Sequence, residues 1–161
     1  MKPSIQPGDF LLYSGKGFFS WLIKVKTWSR FSHVEVYIGH GQTIASRDGE
    51  GVDLYWLKLD KLAAILRPTE KLDVEAGLSW AKENAILGQK YDWWGLLRMF
   101  TIGTQSTSKQ FCSELATRFA RACNFQPFNR KYDADLVSPG MFYSSPHFDV
   151  VWEDTDEVTN G

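Results

Sequence analysis

The sequence predicts an α+β domain, on three observations. Gly and Pro punctuate residues 10–68 into short apolar or alternating runs, the pattern of strands. Residues 73–88 and 107–123 instead carry apolar side chains at helical spacing. The chain has 161 residues, 43% of them hydrophobic, enough to fill one core well but hardly two. A single domain over residues 1–153 is therefore expected, followed by an acidic, disordered tail over 154–161.

Each element follows from its own residues. "PGDFLLYSG" opens with a Pro-Gly turn and runs into a short apolar strand. "FFSWLIKVKTW" places Leu22, Ile23 and Lys26 at helical spacing and reads as a helix with one buried face. "HVEVYIG" alternates, with Val34, Val36 and Ile38 on the core side and His33, Glu35 and Tyr37 on the accessible one. "GHG" is turn chemistry, and "QTIASR" is the returning strand of a hairpin. "GEGVDLYWL" and "LAAILRP" give two more strands, the second ended by Pro68. "DVEAGLSWAKENAILG" predicts a helix with Val74, Leu78, Ala81, Ala85 and Ile86 on one face and Gly88 as its stop. "YDWWGLLRMF" is a further helix candidate, and "TIGTQSTSKQ" a polar loop. Thr107 followed by Gln110 matches a capping box, so a helix should begin there. It carries Phe111, Leu115, Phe119, Ala122 and Cys123 inward and pairs Glu114 with Arg118 on its outer side. The stretch from Asn129 to Glu153 reads as loops ending in a strand.

Composition excludes several classes. Eighteen basic residues against nineteen acidic ones, with no dominant Lys/Arg cluster, argue against nucleic-acid binding. "MKPSIQPGDF" lacks the apolar core of a secretory signal. The densest apolar window, "WWGLLRMFTIG", is too short to span a bilayer and contains Arg98. Cys112 and Cys123 lie eleven apart in one expected helix, roughly 16 Å at its rise per residue, too far to bridge. A reduced, cytoplasmic setting follows as the expectation, with release by a phage or by lysis as the other route. Three scattered histidines and these cysteines lack metal-ligand spacing, so neither a metal nor another cofactor is expected.

What remains is a thiol and an imidazole. Cys112 falls in the first turns of its helix, where unpaired N–H groups and the dipole favour the thiolate. His33 stands on the accessible side of its strand and could act as its base. A third polar group usually orients such a ring. With a plain two-residue turn and Gly39 opposite Gln42, parity puts Ser46 and Asp48 on the face of His33, with Asp48 directly across from it. Glu35 is the nearest competitor, and a bulge in the hairpin would reverse the parity. Cys123 reads as a small buried hydrophobe, and His40 and His147 as solvated loop residues. "CSELATR" has the Cys-x5-Arg spacing of the cysteine phosphatases, but no glycine from which to build a phosphate loop. "SGKGFF" is a turn that lacks the ending of a phosphate loop. "YDWW" could form a sugar or lipid platform, although aromatics at that density are more often core.

"PGDFLLYSG", "SHVEVYIGHGQTIAS", "GQKYDWWGLL" and "FCSELA", in that order over residues 7–145, resemble the circularly permuted branch of the NlpC/P60 superfamily, the YiiX-like, lecithin:retinol-acyltransferase-related, papain-like proteins. "SHVEVYIG" ahead of "FCSEL" is the most specific part, because unpermuted relatives carry the Cys helix first. The resemblance implies a small, barrel-like antiparallel sheet packed against helices, with the helical Cys facing a sheet His. It also implies thiol chemistry on amide or ester bonds through an acyl-enzyme, with Cys112 as nucleophile, His33 as base and the Cys112 backbone N–H in the oxyanion site. "TIASRDG" puts Ala45 where relatives often carry an acidic or polar residue, and Asp48 is taken as the third catalytic residue ahead of Ser46.

The function expected is a cysteine hydrolase cleaving an amide, first of all a bacterial cell-wall peptide at the bond between D-glutamate and a diamino acid. A thiol acyltransferase or lipid amide or ester hydrolase is the alternative, and a non-catalytic binding module on the same fold is a third. The partner is accordingly a peptide or an acyl small molecule, a peptidoglycan stem peptide among them. Neither nucleic acid nor stable membrane insertion is expected.

Overall fold

The computed structural model describes residues 4–15, 29–47, 50–89 and 110–155. Six antiparallel strands form one sheet: β1 (Phe10–Tyr13), β2 (His33–Gly39), β3 (Gln42–Arg47), β4 (Gly51–Trp56), β5 (Leu62–Pro68) and β6 (Phe148–Glu153), in the order β4-β3-β2-β1-β5-β6. The helices are α1 (Val74–Glu83), α2 (Gln110–Ala122) and α3 (Pro139–Ser144). The α+β class is as expected, but the sheet is not barrel-like. Its ends, β4 and β6, lie at opposite edges of the strand order, and no pairing among the described residues closes them onto each other.

β1 is central, which explains its unbroken "FLLY": both faces are covered, so apolar side chains are wanted on both. Phe10 and Leu12 join Val34, Val36 and Ile44 in the core under the helices, where Phe119, Leu115 and Phe142 meet them. Leu11 and Tyr13 point to the opposite face with Leu62 and Ile65. Asp9, only 1% exposed, is held by a fork from Arg67 of β5 (2.9 and 2.8 Å) and by the Gln6 N–H (2.8 Å). That pairing ties the entry of β1 to the next strand and satisfies a carboxylate that burial would otherwise penalise.

The β2–β3 hairpin turns through His40 and Gly41, both at positive φ (53° and 74°), the conformation that tight hairpins demand. Its register is not plain. Val36 faces Ile44 and Tyr37 faces Thr43, but Gly39 faces Gln42, so one extra residue sits in β2 between Tyr37 and Gly39.

α1 begins as expected, with the Asp73 side chain accepting from the Ala76 N–H (3.1 Å). It ends at Glu83 and does not run on to Gly88. Ala85 takes a positive φ of 49°, and the bonds Ile86 N–H to Ala81 (3.0 Å) and Ala85 N–H to Lys82 (3.1 Å) close a Schellman stop. The turn beyond it bridges to β4, Gly88 N–H to Val52 O (2.8 Å) and Val52 N–H to Gln89 O (3.0 Å). At Gly77 a β-carbon would fall 2.4 Å from Cys123 Sγ and 2.8 Å from the Phe119 ring, so glycine is what lets α1 and α2 pack this closely.

α2 buries Leu115, Phe119 and Cys123 and pairs Glu114 with Arg118 at 2.7 Å, as its spacing predicts; Ala116 and Ala120 share the buried face, and Ala122 is half-buried. α3 falls in a stretch whose sequence reads as loop. Its signal is local, Ser138 followed by Pro139 at the first helical position. The expected helices at residues 18–28 and 91–100, the capping residue Thr107 and the tail beyond 155 lie outside the described residues.

Candidate active site

His33 opens β2 and pairs across the sheet with Tyr13, whose ring centroid lies 6.0 Å from the imidazole. Cys112 is the third residue of the α2 span. Packing of α2 on β2 and β3 brings residues seventy-nine positions apart in the chain (112 − 33) into one region of the fold. The imidazole and the Cys112 side chain are near enough to influence one another electrostatically. Cys112 is buried, at 7% exposed, while the His33 side chain keeps 26% of its surface open.

The other interaction of the ring goes to Glu35, whose Oε1 lies 3.2 Å from His33 Nε2. Glu35 is two residues along the same strand and its side chain is only 3% exposed. It is satisfied on every side. Arg47 donates through Nε to Oε1 (2.8 Å) and through Nη2 to Oε2 (3.0 Å), and the Thr43 hydroxyl donates to Oε2 (2.7 Å).

Burial raises the Glu35 carboxyl, but the bonds from His33, Arg47 and Thr43 outweigh it and lower its pKa to about 2. Burial likewise disfavours a charged His33, yet the negative charge available on Cys112, its hydrogen bond and the Glu35 carboxylate outweigh that and raise the ring to about 10. Burial pushes the second thiol, Cys123, up to about 12. It sits under Gly77 within the packed core, as a structural cysteine does.

These shifts fix a pH dependence of stability. Glu35 is lowered on folding, so its contribution is full above about 4.5 and is lost as pH falls toward about 2. His33 is raised, so its contribution is full below about 6.5 and is lost as pH climbs through about 10. Thermal melting across pH should therefore show its plateau between these two ordinary values. Glu35→Gln should flatten the acid limb, and an unchanged limb would remove Glu35 from the account.

Of the residues expected at the site, Cys112 and His33 are brought near each other. The parity that put Ser46 and Asp48 on the His33 face is reversed by the extra residue in β2: the face of His33 and Glu35 carries Thr43, Ala45 and Arg47 of β3, and Ser46 points to the other side. Asp48 lies outside the described residues. Glu35, weighed as a competitor, is the group on the ring, and Arg47 and Thr43 were missed. Strand alternation would have found all three had the bulge been visible in the sequence.

Among the described residues no three or more His, Cys, Asp or Glu side chains group as metal ligands. Glu35 is the carboxylate bonded to the imidazole, and its oxygens are already committed to Arg47, Thr43 and His33. Among the described residues, these side chains do not make up a metal centre. No helix among the described residues is long and apolar enough to cross a membrane.

No protein-family model matches the chain. It is 27% identical over 145 residues to a protein of Escherichia coli (strain K12) named "Probable lipoprotein peptidase YaeF", a match covering 84% of this chain and 46% of that one. The chain thus spans about half the length of that curated relative. The crystal structure of the metalloprotein YiiX from Escherichia coli O157:H7, a DUF1105 protein, superimposes with a TM-score of 0.63 over 92% of this chain and 97% of that one, at 18% identity.

Proposed function

We propose that the chain is a YiiX-like, NlpC/P60-related cysteine hydrolase, of the circularly permuted papain-like kind, that cleaves an amide through an acyl-enzyme, a reading its likeness to YaeF and YiiX supports. The observation that carries this reading is the pairing of Cys112 with a half-exposed imidazole that Glu35 holds from its other side. Glu35 engages Nε2, and a ring nitrogen offers one lone pair or one proton, so Nδ1 is left to serve the thiol. His33 takes the Cys112 proton, the sulfur attacks the carbonyl carbon, and the imidazolium returns the proton to the departing amine. Water deprotonated by the same ring then attacks the thioester, releasing the acid and restoring the thiol. The N–H of Cys112, at the start of its helical span, supplies one donor to the developing oxyanion.

A relative named as a peptidase favours a peptide amide over a lipid ester. The substrate proposed is a cell-wall stem peptide, cut between D-glutamate and the diamino acid, and Glu35 is proposed as the orienting residue in the role first assigned to Asp48. Purified peptidoglycan incubated with the protein should release soluble muropeptides with new amino termini. Asp48→Ala should slow the release less than Glu35→Gln does. Reaction with acyl-thioester or lipid probes, and none with peptidoglycan, would move the activity to acyl transfer or lipid hydrolysis. Iodoacetamide should label Cys112 at least about tenfold faster than Cys123 at neutral pH. Slow, equal labelling of both would leave a binding module.

A further inference from the structure

The contacts at the site extend one step past Glu35. Arg47 reaches that carboxylate already oriented: its guanidinium lies 4.4 Å from the centre of the Tyr55 ring and its Nη2 donates to the Trp56 carbonyl (3.3 Å). Tyr55 is itself held, donating to the Gly51 carbonyl (2.9 Å). A carboxylate bonded to an imidazole alone turns easily, because its terminal torsion is broad. Two parallel N–H bonds fix its plane.

We propose that Arg47 is a positioning residue: its fork, helped by the Thr43 hydroxyl, holds the Glu35 carboxylate against His33 Nε2 and so keeps the imidazole turned toward Cys112. The inference rests on Cys112 being the nucleophile. Lysine could supply the charge at position 47 but not the fork. The other titratable groups bearing on this cluster are Tyr13 and Tyr55, with Glu50, Asp53 and Asp60 around them.

The test uses the full chain and needs no substrate. The rate of Cys112 alkylation by iodoacetamide is measured from pH 4 to 9, with thermal melting alongside, for the wild type, Arg47→Gln, Arg47→Lys and Thr43→Val. Near pH 8 the variants should fall within about twofold of the wild type. Near pH 5 Arg47→Gln should be slower by about tenfold, because the unclamped Glu35 takes up a proton there and ceases to support the charged ring. Arg47→Lys should fall between the two, and Thr43→Val should lose about threefold at the same pH. If Arg47→Gln does not fold, the nearly isosteric Thr43→Val decides. Profiles that superimpose, or that drop equally at every pH, overturn the positioning role. Wild-type Cys112 labelling no faster than Cys123 would instead overturn the nucleophile itself, so the two failures are distinguishable.

Discussion

Cys112→Ala is expected to abolish turnover of peptidoglycan, by at least about 10³-fold, while leaving the fold in place. The two halves of that expectation have separate causes. The sulfur is the atom proposed to bond the substrate, so without it the acyl-enzyme route is closed and only residual binding and oxyanion stabilisation remain. Structurally the change is small: the side chain packs at the rim of the core with Leu115 and Ala116 as neighbours on its helix, and losing one sulfur should cost about 1 kcal/mol. Muropeptide release is followed by chromatography and folding by thermal melting on the same preparation. Turnover that survives in a folded Cys112→Ala protein would end the cysteine mechanism, whatever the substrate.

His33→Ala should be comparably severe for a different reason. The ring carries the proton in both halves of the proposed reaction and is the group through which Glu35 acts on the sulfur. Removing it leaves Glu35 still bonded to Arg47 and Thr43, so no buried carboxylate is stranded and the sheet should persist. Cysteine labelling at neutral pH should fall by about tenfold or more, because the imidazolium that stabilises the thiolate is gone. Groups that work as one unit are not additive, so Cys112→Ala/His33→Ala should be no slower than Cys112→Ala alone. A further large loss in the double variant would assign the two residues to separate steps.

Much of this architecture was readable in advance because it depends on local pattern. β5 coincides with "LAAILRP", whose apolar run and terminal Pro68 fix both its identity and its end. The "GHG" turn and the Glu114–Arg118 pair follow from backbone freedom at glycine and from helical spacing. The packing of the Cys112 helix on the His33 strand was also legible, because their order in the chain is distinctive. What escaped depends on single residues or on distant strands. One inserted residue near Ile38 exchanges the two faces of β3, and nothing in "YIGHGQT" announces it. α1 stops early because Ala85 adopts a conformation usually left to glycine, so the search for a stop at Gly88 overshot. Whether six strands close on themselves is a property of edges, and no individual strand encodes it.

The ion pair between Arg30 and Glu153 joins the residue three places ahead of His33 to the last residue of β6, and the Tyr143 hydroxyl donates to the same carboxylate (3.0 Å). Arg30 also lies over the rings of Phe31 and Tyr143. The segment leading into β2 is therefore moored to the far margin of the sheet. A fusion partner attached after Glu153 leaves that mooring intact, whereas trimming the chain inside it removes the tie between β6 and the segment leading into β2.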